Sequence, residues 1–317
     1  MFINYLYVTS KKLFILLRKH DIILLTVFLK KDVSMEKSKD ALGDIMKGYE
    51  SAFTSNKVMK GIPLLARLDG RAFHTFAKGL ARPYDGRLTD CMVETTAFLI
   101  EQTHALTGYT QSDEITLLWY FDANSTSEYM FNGKISKLNS VLASLATVKF
   151  YSQVQQNIPE KKHLFPIFDC RVWQVPTKSL AADVFIWREL DATKNSVSMA
   201  AHSMFSHKSL QGLSSKQMKD RMINEANVNW NLYPAFFKRG SYLQKRNYFV
   251  EYTEEERMAI PEKYRPAVDE KVERSKVVTL DMAPCRLVDN FEDVIFNKAD
   301  PINKADIFKC KSPFASK

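Results

Sequence analysis

Asp69 and the pair Asp113-Glu114 are the residues whose types and placement best suit chemistry. Asp69 closes the apolar run Ile62–Leu68 and precedes Gly70, where the backbone can bend closely around a ligand. Asp113 stands 44 residues later, in the polar cluster Gln111-Ser112-Asp113-Glu114 directly before a second apolar run, Ile115–Phe121. Carboxylates at the ends of neighbouring strands make a hard-oxygen site suited to Mg²⁺. A pair of such ions can clamp the attacking and leaving oxygens of a phosphoryl transfer. The same residues also read as ordinary loop chemistry, since Asp-Gly after a strand is commonly a turn and Asp-Glu before one a solvated loop. Ser112 is a turn hydroxyl on that view, and Phe73 and His74 are either core residues or the lining of a nucleotide pocket.

The elements around these residues follow from hydrophobic period. Ile62–Leu68 and Ile115–Phe121 read as buried strands, with Pro63 at the start of the first. Leu88–His104 and Leu138–Phe150 read as helices, the second with small residues at Ala143, Ser144 and Ala146 that permit close approach. Val172–Val175 and Val184–Trp187 are short apolar fragments compatible with strand or helix. Ser214 and Gln217 form a capping box for a helix reaching about Asn227. Beyond Val250 the composition turns charged and broken, at Glu254-Glu255-Glu256, Pro261 and Pro266, before a short strand at Val277–Leu280.

Composition narrows the class. The 317 residues are 45% hydrophobic and 26% charged, a balance that excludes a fully disordered chain, a fibrous repeat and a multi-pass membrane protein. The net charge of +9 favours an anionic partner such as nucleic acid or a nucleotide. Residues 1–34 hold six Lys or Arg against two Asp, so the rest of the chain is only mildly basic. That segment is expected to lie outside the folded unit, with translation starting at Met35. Its longest apolar run, Ile22–Leu29, is too short to span a membrane. Cys91, Cys170, Cys285 and Cys310 are scattered without a Cys-x-x-Cys pair, as in a protein of a reducing compartment such as the cytoplasm.

Two motifs together carry a resemblance. ARLDGRAFHTF (66–76) and YTQSDEITL (109–117) are similar to the paired signature of the tRNA-His guanylyltransferase family. SKLNSVLASLATVKF (136–150), FDCRVWQVPT (168–177), WRELDATKNSVS (187–198) and FKRGSYLQK (237–245) resemble later segments of that family, so the likeness runs from about Met35 to Val250. The resemblance implies an α+β fold, a palm-like antiparallel sheet with packed helices (a ferredoxin-like core) plus a helical C-terminal part. It implies a catalytic domain over 35–160, a family C-terminal region over 161–250 and an undiagnostic extension over 251–317.

By the same resemblance, nucleotides are added to a tRNA 5′ end in the 3′-to-5′ direction, with GTP and ATP as substrates and two Mg²⁺ ions as cofactor. Asp69, Asp113 and the Gly70 carbonyl would hold the metals, with Glu114 in support. Asp69, Gly70, Arg71, Ala72, Phe73 and His74 would wrap the triphosphate, and Ser112 and Asp113 complete the pocket. Arg171, Arg188, Lys194, Asn195, Lys238 and Arg239 are the expected phosphate or tRNA contacts, and assembly as a tetramer is implied. Thr193-Lys194-Asn195-Ser196 stands where eukaryotic enzymes adding one guanosine to tRNA-His carry His-Ile-Asn-Asn, a departure that leans towards templated 5′-end repair. Two alternatives are another palm-type two-metal enzyme such as a nucleotide cyclase, and a non-catalytic RNA-binding relative.

Overall fold

A computed structural model describes residues 41–268 and 270–304. The expectation for residues 1–34 and the thiol of Cys310 lie outside the described residues. The chain divides into two units, 1–55 and 56–317. In the first, helix α1 (Ala41–Thr54) is amphipathic and has no buried residue.

In the second unit, β1 (Leu64–Gly70) leads through the single-turn α2 (Phe73–Phe76) to α3 (Gly86–Thr103). The hairpin β2 (Thr107–Gln111) and β3 (Glu114–Trp119) follows, then α4 (Ile135–Asn157) and β4 (Phe168–Gln174). Next come α5 (Lys178–His202), α6 (His207–Leu210), α7 (Ser215–Ala226) and α8 (Ala235–Arg239). Strand β5 (Ser241–Val250), α9 (Glu254–Ala259), β6 (Val272–Thr279) and α10 (Phe291–Asn297) close the described chain.

The six strands form one antiparallel sheet in the order β4-β1-β3-β2-β5-β6. Strand period 2 sends alternate residues to opposite faces. Leu64, Ala66 and Leu68 of β1, with Ile115, Leu117 and Trp119 of β3, pack under α3 and α4 against Met92, Leu99, Leu142 and Phe150. Leu65 and Leu118 face the other way, into a second core with Tyr109, Phe185 of α5 and Val294 and Ile295 of α10. A third cluster joins the end of α5 to α7 and α8 through Ala200, Met222, Trp230 and Phe237.

The Ser214–Gln217 capping box opens α7 as the sequence indicates. Val184–Trp187 resolves as the interior of a 25-residue helix, and Val172–Gln174 as the end of β4, with Val175 just past it. A four-residue apolar run fits both periods, and only the length of its surroundings decides. Strand β6 begins five residues before the expected Val277, paired along β5.

Candidate active site

Local chemistry sets the position of each acid. Gln111 pairs with Glu114, so β2 and β3 are joined by a two-residue turn made of Ser112 and Asp113. Ser112 takes φ 54°, the left-handed geometry that such turns demand at a central position. The Gly70 amide donates to the Asp113 carbonyl at 3.0 Å, fixing the hairpin tip to the end of β1. A Cβ on Gly70 would lie 2.3 Å from the Phe73 ring, so glycine is required for that ring to pack beneath the bend. Phe73 is core, against Phe76, Phe150 and Phe168. Ala72, at φ 54°, turns the chain into α2.

Register then assembles a row of carboxylates. Asp69 lies opposite Glu114 on one side and opposite Asp169 on the other, all three on the sheet face covered by α5. Asp113 joins this row from the turn. Its carboxyl is pushed above the ordinary range by burial, with a pull downwards from the Ser112 hydroxyl and a further push from the Asp69 charge. Among the described residues no Lys or Arg pairs with Asp69 or Asp113.

Glu114 is different. Arg188 Nε and Nη2 donate to its two oxygens at 2.7 and 2.8 Å, and Arg67 stands 4.0 Å away. Burial raises the Glu114 carboxyl, and the Arg188 hydrogen bonds pull it back. Arg188 Nη2 also reaches Asp191 at 2.9 Å, and Asn195 Nδ2 donates to the same carboxylate oxygen at 3.3 Å. Positions 188, 191 and 195 share one helical face. The Trp-Arg-x-x-Asp-x-x-x-Asn segment is thus one polar stripe of α5, ending on the acidic row.

The remaining sequence candidates scatter. Arg171 is exposed on β4, 3.4 Å from Asp169. Arg71 and Lys194 are exposed. The Lys238 ammonium donates to the Asn231 carbonyl at 2.6 Å, and the Arg239 guanidinium to that of Met282 at 2.5 Å. His74 lines a cavity of about 300 Å³ with Ala77, Ala81, Asp85, Ser112 and His202.

His74 and Ser112 are the two cavity residues that the sequence also assigns to a nucleotide pocket, whereas the remaining walls and Asp169 carry no such expectation. The alternation Phe168-Asp169-Cys170-Arg171 carried the signal for Asp169, because it puts Asp169 and Arg171 on one face. Nothing in the local pattern of 77–85 marks a cavity wall.

Oxygen donors without a paired cation are what Mg²⁺ requires of a protein, since it keeps several waters and takes substrate phosphates for the rest. Asp69, Asp113 and the Gly70 carbonyl fit that ion by donor type. Among the described residues no three His, Cys, Asp or Glu side chains converge into a closed metal cage.

The tRNAHis guanylyltransferase family profile matches residues 43–176, which contain the whole acidic row. A bacterial tRNA(His) guanylyltransferase-like protein solved in complex with ATP aligns at TM-score 0.62 and 40% identity, over 64% of this chain and 88% of that one. The chain belongs to the tRNAHis guanylyltransferase family. It is accordingly an enzyme, a nucleotidyltransferase of that type. A bacterial tRNA(His) guanylyltransferase-like protein in complex with GTP aligns at TM-score 0.60 and 33% identity, over 76% of this chain and 91% of that one. An uncharacterized protein of Acanthamoeba polyphaga mimivirus is 31% identical over 228 residues, 65% of this chain and 78% of its own length. The guanylyltransferase family fold is α+β, as the antiparallel sheet and its helices are here. No helix among the described residues is long and apolar enough to cross a membrane.

Proposed function

We propose that this protein extends the 5′ end of tRNA in the 3′-to-5′ direction by two-metal phosphoryl transfer, favouring templated repair of truncated ends. The observation that carries the reading is the uncompensated acid pair, Asp69 and Asp113, held together by the Gly70–Asp113 backbone bond. Two Mg²⁺ ions bound there would neutralise triphosphate charge and polarise the attacking hydroxyl.

Asp69, Asp113 and the Gly70 carbonyl are the ligands in this reading. Segment 70–74 presents backbone to the triphosphate, and the His74–Asp85 cavity takes the base. Family relatives solved with ATP and with GTP support nucleotide substrates. Glu114 fixes Arg188 rather than binding metal, and Arg188 sets the charge behind the row. The RNA 5′-monophosphate first displaces pyrophosphate from ATP or GTP. The 3′-hydroxyl of the incoming nucleotide then attacks that activated phosphate and releases the mononucleotide.

In this reading the regions before and after residue 160 act as one catalytic unit, supported by β4 lying in the same sheet as β1, and β6 extends that sheet past residue 250. A tetramer in the cytoplasm, with tRNA spanning more than one subunit, completes the proposal. Purified protein incubated with ATP, GTP, Mg²⁺ and labelled tRNA lacking its first nucleotide tests it, beside full-length tRNA-His. Templated extension absent from D69A supports the repair reading. Addition to tRNA-His alone refutes the repair lean, and extension of neither RNA refutes the activity.

A further inference from the structure

A triphosphate seated in the His74–Asp85 cavity leaves the RNA end without a surface of its own. The sheet face under α5 offers one. Behind the acidic row lies a second register row, Arg171–Arg67–Thr116. Over it stands Trp187 of α5, 51% exposed, whereas Trp119 and Trp230 are buried and Trp173 is partly buried.

The Trp187 ring is held in place. The Arg188 guanidinium carbon lies 4.4 Å from its centroid and that of Arg67 5.7 Å. Both guanidiniums lean on Glu114, at 2.7 and 4.0 Å. A solvated indole fixed by two cations has already lost its rotamer freedom, so a flat ligand meets a prepared surface. Arg171 presents an exposed cation on the same row, engaged among the described residues only by Asp169 at 3.4 Å.

Indole face, neighbouring cation and a metal-binding acid row two residues along β1 together match one chemistry, the terminal nucleotide of an RNA strand. We propose that Trp187 is the stacking platform for the 5′-terminal base of the RNA substrate, with Arg171 on the adjoining backbone phosphate. This rests on the nucleotidyltransferase reading of the acidic row.

Trp187→Ala and Trp187→Phe test it in the full chain, with melting curves as a check on folding. W187A is expected to raise KM for 5′-truncated tRNA about tenfold or more, the scale of one lost base–aromatic stack. KM for ATP should stay within about twofold, and W187F, which keeps a stacking ring, should recover most of the loss. In a second arm, tryptophan emission is titrated with 5′-monophosphorylated truncated tRNA and, separately, with ATP and GTP. Quenching by RNA that disappears in W187F, while that variant still binds, supports the platform. Quenching undiminished in W187F, a rise in KM for ATP instead of RNA, or unchanged RNA KM in W187A overturns it. A wild-type protein that adds no nucleotide would defeat the functional reading alone, because the emission arm needs no turnover.

Discussion

Asp69 and Asp169 face each other across adjacent antiparallel strands, and Glu114 faces Asp69 from the other side. Like charges directly opposite weaken a sheet. Arg188 compensates Glu114 and Arg171 reaches Asp169, whereas Asp69 has no basic partner among the described residues. The fold therefore holds its central acid at a cost to stability.

Removing that charge should stabilise the protein while ending its activity. Asp69→Asn is expected to raise the melting temperature by about 1–3 °C, from relief of roughly 0.5–1 kcal/mol of repulsion. Nucleotide addition should fall below detection. Added Mg²⁺ should raise the wild-type melting temperature and leave that of D69N nearly unchanged, which differential scanning calorimetry can read.

Arg188→Met alone leaves Glu114 half-buried without its partner. A loss of about 3 kcal/mol or more is expected by chemical denaturation. The double variant R188M/E114L should regain much of that stability without regaining activity. A double variant no more stable than R188M would show that the ion pair holds nothing the helix packing does not.

Gly70→Ala drives a methyl group into the Phe73 ring. Overpacking of this kind costs about 1–3 kcal/mol, and here it also shifts the carbonyl assigned to metal binding. G70A should therefore lose stability and activity together. Adding Phe73→Leu should restore part of the stability, as measured by urea unfolding.

Asp85 caps α3, accepting from the Arg87 amide at 3.0 Å and from the Arg87 guanidinium at 2.8 Å. Arg87 holds its carboxyl below the ordinary range, against the opposing effect of burial. A depressed carboxylate adds stability fully present above its unfolded value, near pH 4, and lost as pH falls through the folded value. Asp85→Asn keeps a capping acceptor and removes the charge. Wild type should be the more stable protein at pH 7, with the gap closing steadily below about pH 4 in a series of thermal melts.

Burial pushes the Cys91 thiol up to about 11 and those of Cys170 and Cys285 up to about 12. Thiols, unlike thiolates, alkylate slowly. Iodoacetamide at pH 8 should leave these three unmodified in the native protein and modify them in guanidinium, as peptide mass mapping would show.

Much of the site was legible because its acids mark the ends of strongly apolar strands. Asp69 after IPLLARL and Asp113-Glu114 before ITLLWYF are signals that survive without any tertiary information. Strand β2 was less legible, since Thr107-Gly108-Tyr109-Thr110 is polar by composition yet buried between β3 and β5. Its buried hydroxyls are partnered in space: Thr107 donates to the Ile295 carbonyl and Tyr109 to that of Arg239. Such long-range partners leave no trace in a local window. The cavity walls come from 74–92, 110–112, 199–203 and 236–241, segments far apart in sequence that only the packing of helices on the sheet brings together.

The Ser112–Asp113 turn has no residue to spare. One inserted residue would move Asp113 out of place, and a matching slip of register would turn Ile115, Leu117 and Trp119 from the core under α3 and α4 into the one under α5. The connection between β5 and β6 carries no such constraint, because its described residues, 251–268 and 270–271, are mostly exposed and serve no register. Descendants of this chain are free to change length there, while the spacing from Gln111 to Glu114 must be inherited unaltered.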